Sequence, residues 1–171
     1  MNLDDLPPPE VMWAGRFVCA LRRGKWEYAS RSDDINAVVI LAEHEGKVIL
    51  IDQPRVAPNR RCIELPAGLV GDEDPNATVE STAIKELEEE TGFTAERIDR
   101  LGDFYGSPGI LAESFTLVRA HGVNKVADGG GGEDEDINVH LVAREDIPRF
   151  LEQKRAEGFG IDVKLLMFMD F

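Results

Sequence analysis

Residues 71–93, GDEDPNATVESTAIKELEEETGF, decide how the rest of this chain is read. They place four carboxylates in the five positions from Glu86 to Glu90, on what reads as a helix over 77–91 closed by Gly92. Like charges three and four residues apart on a helix repel by roughly 0.2–0.5 kcal/mol per pair. Lys85 is the only cation beside them, and a divalent cation would remove the repulsion. At about 100° per residue, Glu86, Glu89 and Glu90 share one face, Glu88 points away, and Ile84 and Leu87 are left to anchor the helix to a core. The spacing predicts a rigid rack for a hard metal.

Outward from this helix the chain alternates strand-like and helix-like segments. Upstream, Val38-Val39-Ile40-Leu41 and Val48-Ile49-Leu50-Ile51 are apolar on both faces, as expected of central strands covered on both sides. They read as a hairpin, 36–42 with 47–53. A short strand at 63–65 breaks at Pro66-Ala67-Gly68. Strands follow over 97–105 and 113–121, flanking the turn-rich Gly106-Ser107-Pro108-Gly109, and again over 137–142. Residues 144–157 and 161–169 have helical spacing, with Ile147, Phe150 and Leu151 on one stripe and Val163, Leu166 and Met167 on another. The expected class is α/β, a mixed sheet with a few helices packed on it. Residues 1–35, an extended leader and a small hairpin around Arg22-Arg23-Gly24-Lys25, form an N-terminal extension to a main domain over 36–171. A hairpin that small does not stand alone, which predicts pairing with the main domain or with a second copy of the chain, and a homodimer is favoured.

The 71–93 segment is similar to the signature of the Nudix hydrolases, Gly-x5-Glu-x7-Arg-Glu-U-x-Glu-Glu-x-Gly-U with U apolar. Gly71, Glu86, Leu87, Glu89, Glu90, Gly92 and Phe93 are in register, while Ala77 stands at the first Glu and Lys85 at the Arg. Lys lacks the planar fork of Arg and Ala77 removes one carboxylate from the outer side of the motif, so both departures point to weaker tuning of a site that keeps Glu86, Glu89 and Glu90. The resemblance implies an α/β/α sandwich. It also implies two or three Mg²⁺ ions, with Mn²⁺ as the alternative, held by Glu86 and Glu90 with help from Glu89, the Ala67 carbonyl and Glu135. Glu64-Leu65-Pro66-Ala67-Gly68 resembles the ADP-ribose pyrophosphatase branch, which uses that backbone carbonyl as a ligand, and a peptide oxygen suits a hard cation.

The same branch implies further roles. Asp128-Gly129-Gly130-Gly131-Gly132-Glu133-Asp134-Glu135-Asp136 resembles its late acidic loop, with Glu133 as the base that activates water and Glu135 as a ligand, or the two exchanged. Four consecutive glycines predict a mobile segment that closes over substrate. Arg55 stands where the branch places an arginine on the substrate, with Arg60 and Arg61 as competitors, and a guanidinium fork suits phosphate. Pro108 lies fifteen residues past Phe93. In this branch a proline near that distance marks ADP-ribose hydrolases, and Gly109 and Glu113 strengthen the match. Trp26, Tyr28 and Arg31 are candidates for contacts with adenine or ribose across a dimer.

The expected activity is Mg²⁺-dependent hydrolysis of ADP-ribose to AMP and ribose 5-phosphate. The alternatives are another nucleoside diphosphate derivative (GDP-mannose, NADH or a dinucleoside polyphosphate) or a non-catalytic ADP-ribose sensor. Composition fits a small anionic substrate bridged by metal. The net charge of −14 over 171 residues argues against a nucleic-acid partner, which needs basic stripes. No apolar run approaches the roughly 20 residues of a membrane span. Cys19 and Cys62 have no Cys-x-x-Cys spacing and no signal peptide precedes them, which predicts free thiols in a cytoplasmic protein. Zinc, calcium-loop, P-loop and dinucleotide-binding patterns are absent from the sequence.

Overall fold

Val38 and Ile40 point to one side of a strand and Val39 and Leu41 to the other, and both sides are buried. The first pair joins Ala83, Leu87 and Phe93 in one cluster, and the second joins Leu50, Ile63, Leu65, Ile147 and Leu151 in another. Each fully buried aliphatic side chain of this kind contributes roughly 1.5–3 kcal/mol, so this strand sits at the centre of the protein. The computed structural model describes residues 2–32, 35–72, 74–132 and 135–169.

Its strands are β1 (Glu10–Ala14), β2 (Val18–Arg23), β3 (Trp26–Arg31), β4 (Asn36–Leu41), β5 (Glu43–His44), β6 (Lys47–Arg55), β7 (Arg60–Glu64), β8 (Ala67–Val70), β9 (Phe93–Thr94), β10 (Arg97–Tyr105), β11 (Ser114–His121), β12 (Asn124–Lys125), β13 (Asn138–Ala143) and β14 (Gly160–Ile161). Two α-helices, α1 (Val79–Thr91) and α2 (Ile147–Ala156), pack on them. One mixed sheet runs β10-β11-β4-β8, with β11 and β4 parallel. A second runs β13-β6-β7-β14, with β14 and β7 parallel. Helix α1 covers the first core cluster and α2 the second, giving the layered α/β arrangement that the sequence implies.

The expected hairpin of 36–42 with 47–53 is corrected. β4 gives one edge to β11 and the other to β8, so neither is left for β6. Apart from the Ala42 carbonyl, which accepts from the Ile49 N–H at 2.9 Å, only the two residues of β5 turn back onto β6, and β6 otherwise pairs with β13 and β7. The expected N-terminal hairpin is a three-stranded antiparallel sheet, because the chain also turns at Gly15-Arg16-Phe17, between β1 and β2. The leader is not merely extended: Leu3–Asp5 form a 3-10 turn, and the Arg23 guanidinium donates to the carbonyls of Pro7 and Leu3.

The last predicted helix, 161–169, is a strand residue pair followed by a 3-10 helix, Val163–Phe168. Its predicted inward stripe faces out: Val163, Leu166 and Met167 are exposed, whereas Leu165 and Phe168, three apart as a 3-10 turn requires, are buried. In α2, Ile147 and Leu151 are buried and Phe150 packs beside them, as their spacing predicts.

Candidate functional site

Helix α1 begins with a reciprocal cap. The Thr78 hydroxyl accepts from the Ser81 N–H at 3.1 Å and the Ser81 hydroxyl accepts from the Thr78 N–H at 2.9 Å. With the start fixed, Ala83 and Leu87 turn into the core, and Thr82, Glu86 and Glu90, four apart, run along the flank beside an open cleft of about 1690 Å³. Ser81, Lys85 and Glu89 border the same cleft. Glu89 is half exposed and accepts a 2.7 Å ion pair from Lys85, so the lysine in place of the signature arginine supports an acid by point charge.

Strand β8 lies against this flank. Gly68 has no side chain because there is room for none: a Cβ there would stand 2.2 Å from the Glu86 carboxyl carbon. The neighbouring Ala67 N–H donates to Glu90 at 3.0 Å. The contact recorded at Ala67 is therefore its N–H on Glu90, which brings the residue expected to lend a carbonyl ligand next to the central acid. Glu90 is only 4 % exposed. Burial pushes its carboxyl up to about 8, and the charges of Glu86 and Glu135 push the same way, against the Ala67 N–H and the Arg55 guanidinium. Two neighbouring acids thus add to the effect of burial on Glu90, and one N–H and one guanidinium oppose them.

Among the described residues no group of three or more His, Cys, Asp or Glu side chains is already gathered tightly enough to hold a metal. The donor set nonetheless fits a hard divalent cation. It offers carboxylate oxygens beside a peptide unit, one acid buried where its charge is disfavoured, and others near enough to disfavour it further. Glu135 borders the cleft and accepts from the Gly132 N–H at 2.8 Å. Glu133, the expected base, lies outside the described residues.

Strand alternation turns Arg61 away from Arg55, whereas Arg60, directly opposite Arg55 in the β6–β7 pair, is exposed and does not border the cleft. Arg55, at the end of β6, borders the cleft, and its fork meets Glu64 at 2.8 and 2.7 Å. Glu64 is 6 % exposed whereas the Arg55 side chain is half exposed, so the guanidinium is held from below and open above. Its hydrogen bond to Glu64 makes Arg55 harder still to deprotonate. Arg61 is turned the other way, onto Asp52 and onto Asp136 at 2.6 Å. Asp52 also accepts from Asn138 at 3.1 Å and from His140 at 2.6 Å. Burial alone would raise the Asp52 carboxyl, but these donors together hold it below its ordinary value.

The N-terminal sheet meets the cleft through Arg31, whose guanidinium donates to Glu113 at 2.5 Å; both residues border the cleft. The Ala29 N–H and C=O bond to Ile110 and Ala112, which ties the 106–113 turn to β3. Pro108 and Gly109 are exposed in that turn, and it is Ser107, Leu111 and Glu113 that reach the cleft. Trp26 is not brought to it. Its ring lies beside Leu3, Leu6 and Tyr28 on the far side of the small sheet, under the Lys25 ammonium at 5.2 Å. Sequence reasoning missed Glu64, Phe115, Asp162 and Lys164. The Lys164 ammonium pairs with Asp162 at 2.7 Å and stands 5.3 Å from the Phe115 ring centre, all three bordering the cleft. Nothing local to 161–169 signals this, because its apolar spacing satisfies a helix equally well.

A family profile described as NUDIX domain matches residues 33–159. The chain is 34% identical over 119 residues to a methanol dehydrogenase activator of Bacillus methanolicus, covering 68% of this chain and 62% of that protein. It is 37% identical over 121 residues to an ADP-ribose pyrophosphatase of Bacillus subtilis (strain 168), covering 69% and 63%. The match thus spans less than two thirds of the length of these relatives. A solved structure titled "Crystal structure of ADP compounds hydrolase" superposes with a TM-score of 0.67 at 22% identity, over 86% of this chain and 82% of that one, which shows the fold.

Proposed function

The chain belongs to the Nudix family, and from that membership we propose that it hydrolyses the diphosphate of ADP-ribose, with water, to AMP and ribose 5-phosphate. Nudix hydrolases use divalent metal ions. The finer reading is Mg²⁺, with Mn²⁺ as the alternative, held by Glu86 and Glu90 with Glu89, Glu135 and the Ala67 carbonyl. When bound, such a cation supplies charge neutralisation for the diphosphate and activation of water. The observation that carries the reading is Glu90, an acid 4 % exposed at the wall of a cleft, raised by burial and by two neighbouring acids.

The other roles follow from position. Arg55, steadied by Glu64, presents its free N–H groups to phosphate oxygens. Arg31 and Glu113 serve the nucleoside end, and Pro108 and Gly109 shape the turn that carries Glu113. Glu133, or Glu135 in the exchanged assignment, takes the proton of the attacking water.

Residues 1–35 form the extension through which two copies pair, and Trp26 reaches the partner's cleft in that dimer. This reading is supported by the exposed Val11, Trp13 and Phe17 on and beside the edge strand β1. The net charge of −14 disfavours nucleic acid as a partner. Among the described residues no helix is long and apolar enough to cross a membrane. A cytoplasmic setting fits the two free cysteines.

The test is hydrolysis by the purified protein with Mg²⁺ of a panel of ADP-ribose, GDP-mannose, NADH and diadenosine polyphosphates, with chelator as control. Chelator-sensitive release of AMP and ribose 5-phosphate, fastest from ADP-ribose, is the expected result. GMP from GDP-mannose as the fastest product would keep the site and change the substrate. ADP-ribose binding without turnover would make the chain a sensor.

A further inference from the structure

The glycine run between β12 and β13 is expected from composition to be mobile, and the structure instead seats it on the end of the carboxylate helix. The last carbonyls of a helix have no partner within it. Here the N–H of Gly130 donates to the Glu90 carbonyl and that of Gly131 to the Glu89 carbonyl, each at 2.9 Å, while Val126 and Ala127 both donate to the Gly92 carbonyl at 2.8 and 3.0 Å. The loop therefore grips the backbone of the two residues whose side chains face the cleft.

The fit leaves no space for side chains. A Cβ on Gly129, whose φ is +74°, would stand 2.3 Å from the Thr91 carbonyl carbon and 2.5 Å from the Gly92 nitrogen. At the other end, Gly132 and Glu135 bond in both directions, Gly132 N–H to the carboxylate at 2.8 Å and Glu135 N–H to the Gly132 carbonyl at 3.1 Å. A Cβ on Gly131 would meet that carboxylate at 2.5 Å. One short segment thus touches the helix backbone with one end and the Glu135 carboxylate with the other.

We propose that residues 129–132 are a positioning latch, which ties Glu135 to the C-terminal end of α1 and so sets its place relative to Glu86 and Glu90. This deepens the metal-site reading above and rests on it. Gly129 does not border the cleft and Gly131 offers it no side chain, so both act through Glu135 and the helix end. The ordering entropy of four glycines is offset by the bonds they make to helix carbonyls that otherwise have only water.

Two measurements on the full chain test it. In metal-free protein, amide hydrogen exchange at Gly130 and Gly131 is expected to be protected, and exchange at the rate of an unstructured glycine would overturn the latch. Mn²⁺ titration followed by electron paramagnetic resonance then compares Gly129→Ala and Gly131→Ala with Gly46→Ala, where φ is +75° but nothing lies within 4 Å of an added Cβ. The dissociation constant is expected to rise about tenfold in the first two, as for disturbed support of a metal ligand, and to stay unchanged in the third.

If Gly129→Ala does not fold, Gly131→Ala decides alone, since its new methyl group meets side-chain atoms rather than the helix backbone. Loss of thermal stability with unmoved Mn²⁺ affinity would make the segment merely structural and overturn the proposal. A wild-type chain that does not bind Mn²⁺ overturns the metal-site reading and the latch with it. One that binds and is indifferent to both substitutions overturns the latch alone.

Discussion

Asp52 and Glu90 are almost equally shielded from solvent, 2 % and 4 % exposed, and the protein treats them in opposite ways. Around Asp52 it gathers Arg61, Asn138 and His140, and the carboxyl is held down despite its burial. Around Glu90 it gathers Glu86 and Glu135 and sets against them one backbone N–H and the more distant charge of Arg55, and the carboxyl is pushed up to about 8 by burial first and by those acids next. A buried acid compensated by its own chain ties strands together, here β6, β7 and β13. A buried acid left short of positive charge is unfavourable for the fold by itself, and becomes favourable when something else brings the charge. Shielding from solvent therefore does not separate scaffold from site, whereas the origin of the compensating charge does.

Exchanging each acid for its amide should split the two regions. Glu90→Gln is expected to lower Mg²⁺-dependent turnover of ADP-ribose at least about 100-fold, a loss in the range seen when a group acting in the transition state is removed. The melting temperature of the metal-free chain should be unchanged or raised, because an acid whose ionisation is disfavoured by burial is replaced by a neutral amide; calorimetry and a steady-state assay read both. Asp52→Asn should do the reverse. It leaves Arg61 with one carboxylate partner fewer and should destabilise by about 1.5–3 kcal/mol in chemical denaturation, while turnover per folded molecule stays within about twofold. Equal behaviour of the two variants would dissolve the distinction.

Smaller effects sharpen the same division along α1. Thr78→Ala removes the cap that starts the helix and should cost about 1 kcal/mol of stability, read by denaturant midpoint, with Mn²⁺ affinity unmoved because the cleft face is set from the other end. Stability against pH supplies the smallest signal. Asp52 is lowered, and Glu80 is lowered to about 2 by its hydrogen bonds from Arg100. Both folded values lie below the unfolded ones, so their contribution is fully present above about pH 4.5 and is lost as pH falls through the folded values. In an acid titration of the metal-free chain Glu80→Gln should flatten that loss between about pH 4.5 and 2, and an unaltered profile would show that the Arg100 pair adds nothing.

Much of this was legible in the sequence, and the legible parts share a physical cause. Helix α1 declares itself through apolar spacing and Gly92, and its acids through their i and i+4 positions. The apolar faces of 38–41 and 48–51 announce strands covered on both sides. Pairing partners are another matter, because the same run of Val and Ile serves a hairpin or two sheets equally well. The edges of β4 are claimed by β11 and β8, which lie far off or behind a Pro66-Ala67-Gly68 turn signal.

The site divides the same way. The rack of acids is local and was readable. The choice of Arg55 over Arg61 depends on which side of β6 and β7 faces the cleft, its choice over the opposed Arg60 on how far the cleft extends along that face, and the part played by Lys164 on where residues 163–168 come to rest. Four glycines read as mobile because composition reports what a segment costs to order, not which helix carbonyls wait to receive it.

The most direct test of the central claim is a Mn²⁺ titration of wild type, Glu90→Gln and Asp52→Asn, all confirmed folded by circular dichroism. Saturable binding is expected in the wild type and in Asp52→Asn, with loss of the tight site in Glu90→Gln. Undiminished binding in Glu90→Gln, or equal weakening in both variants, would contradict that claim.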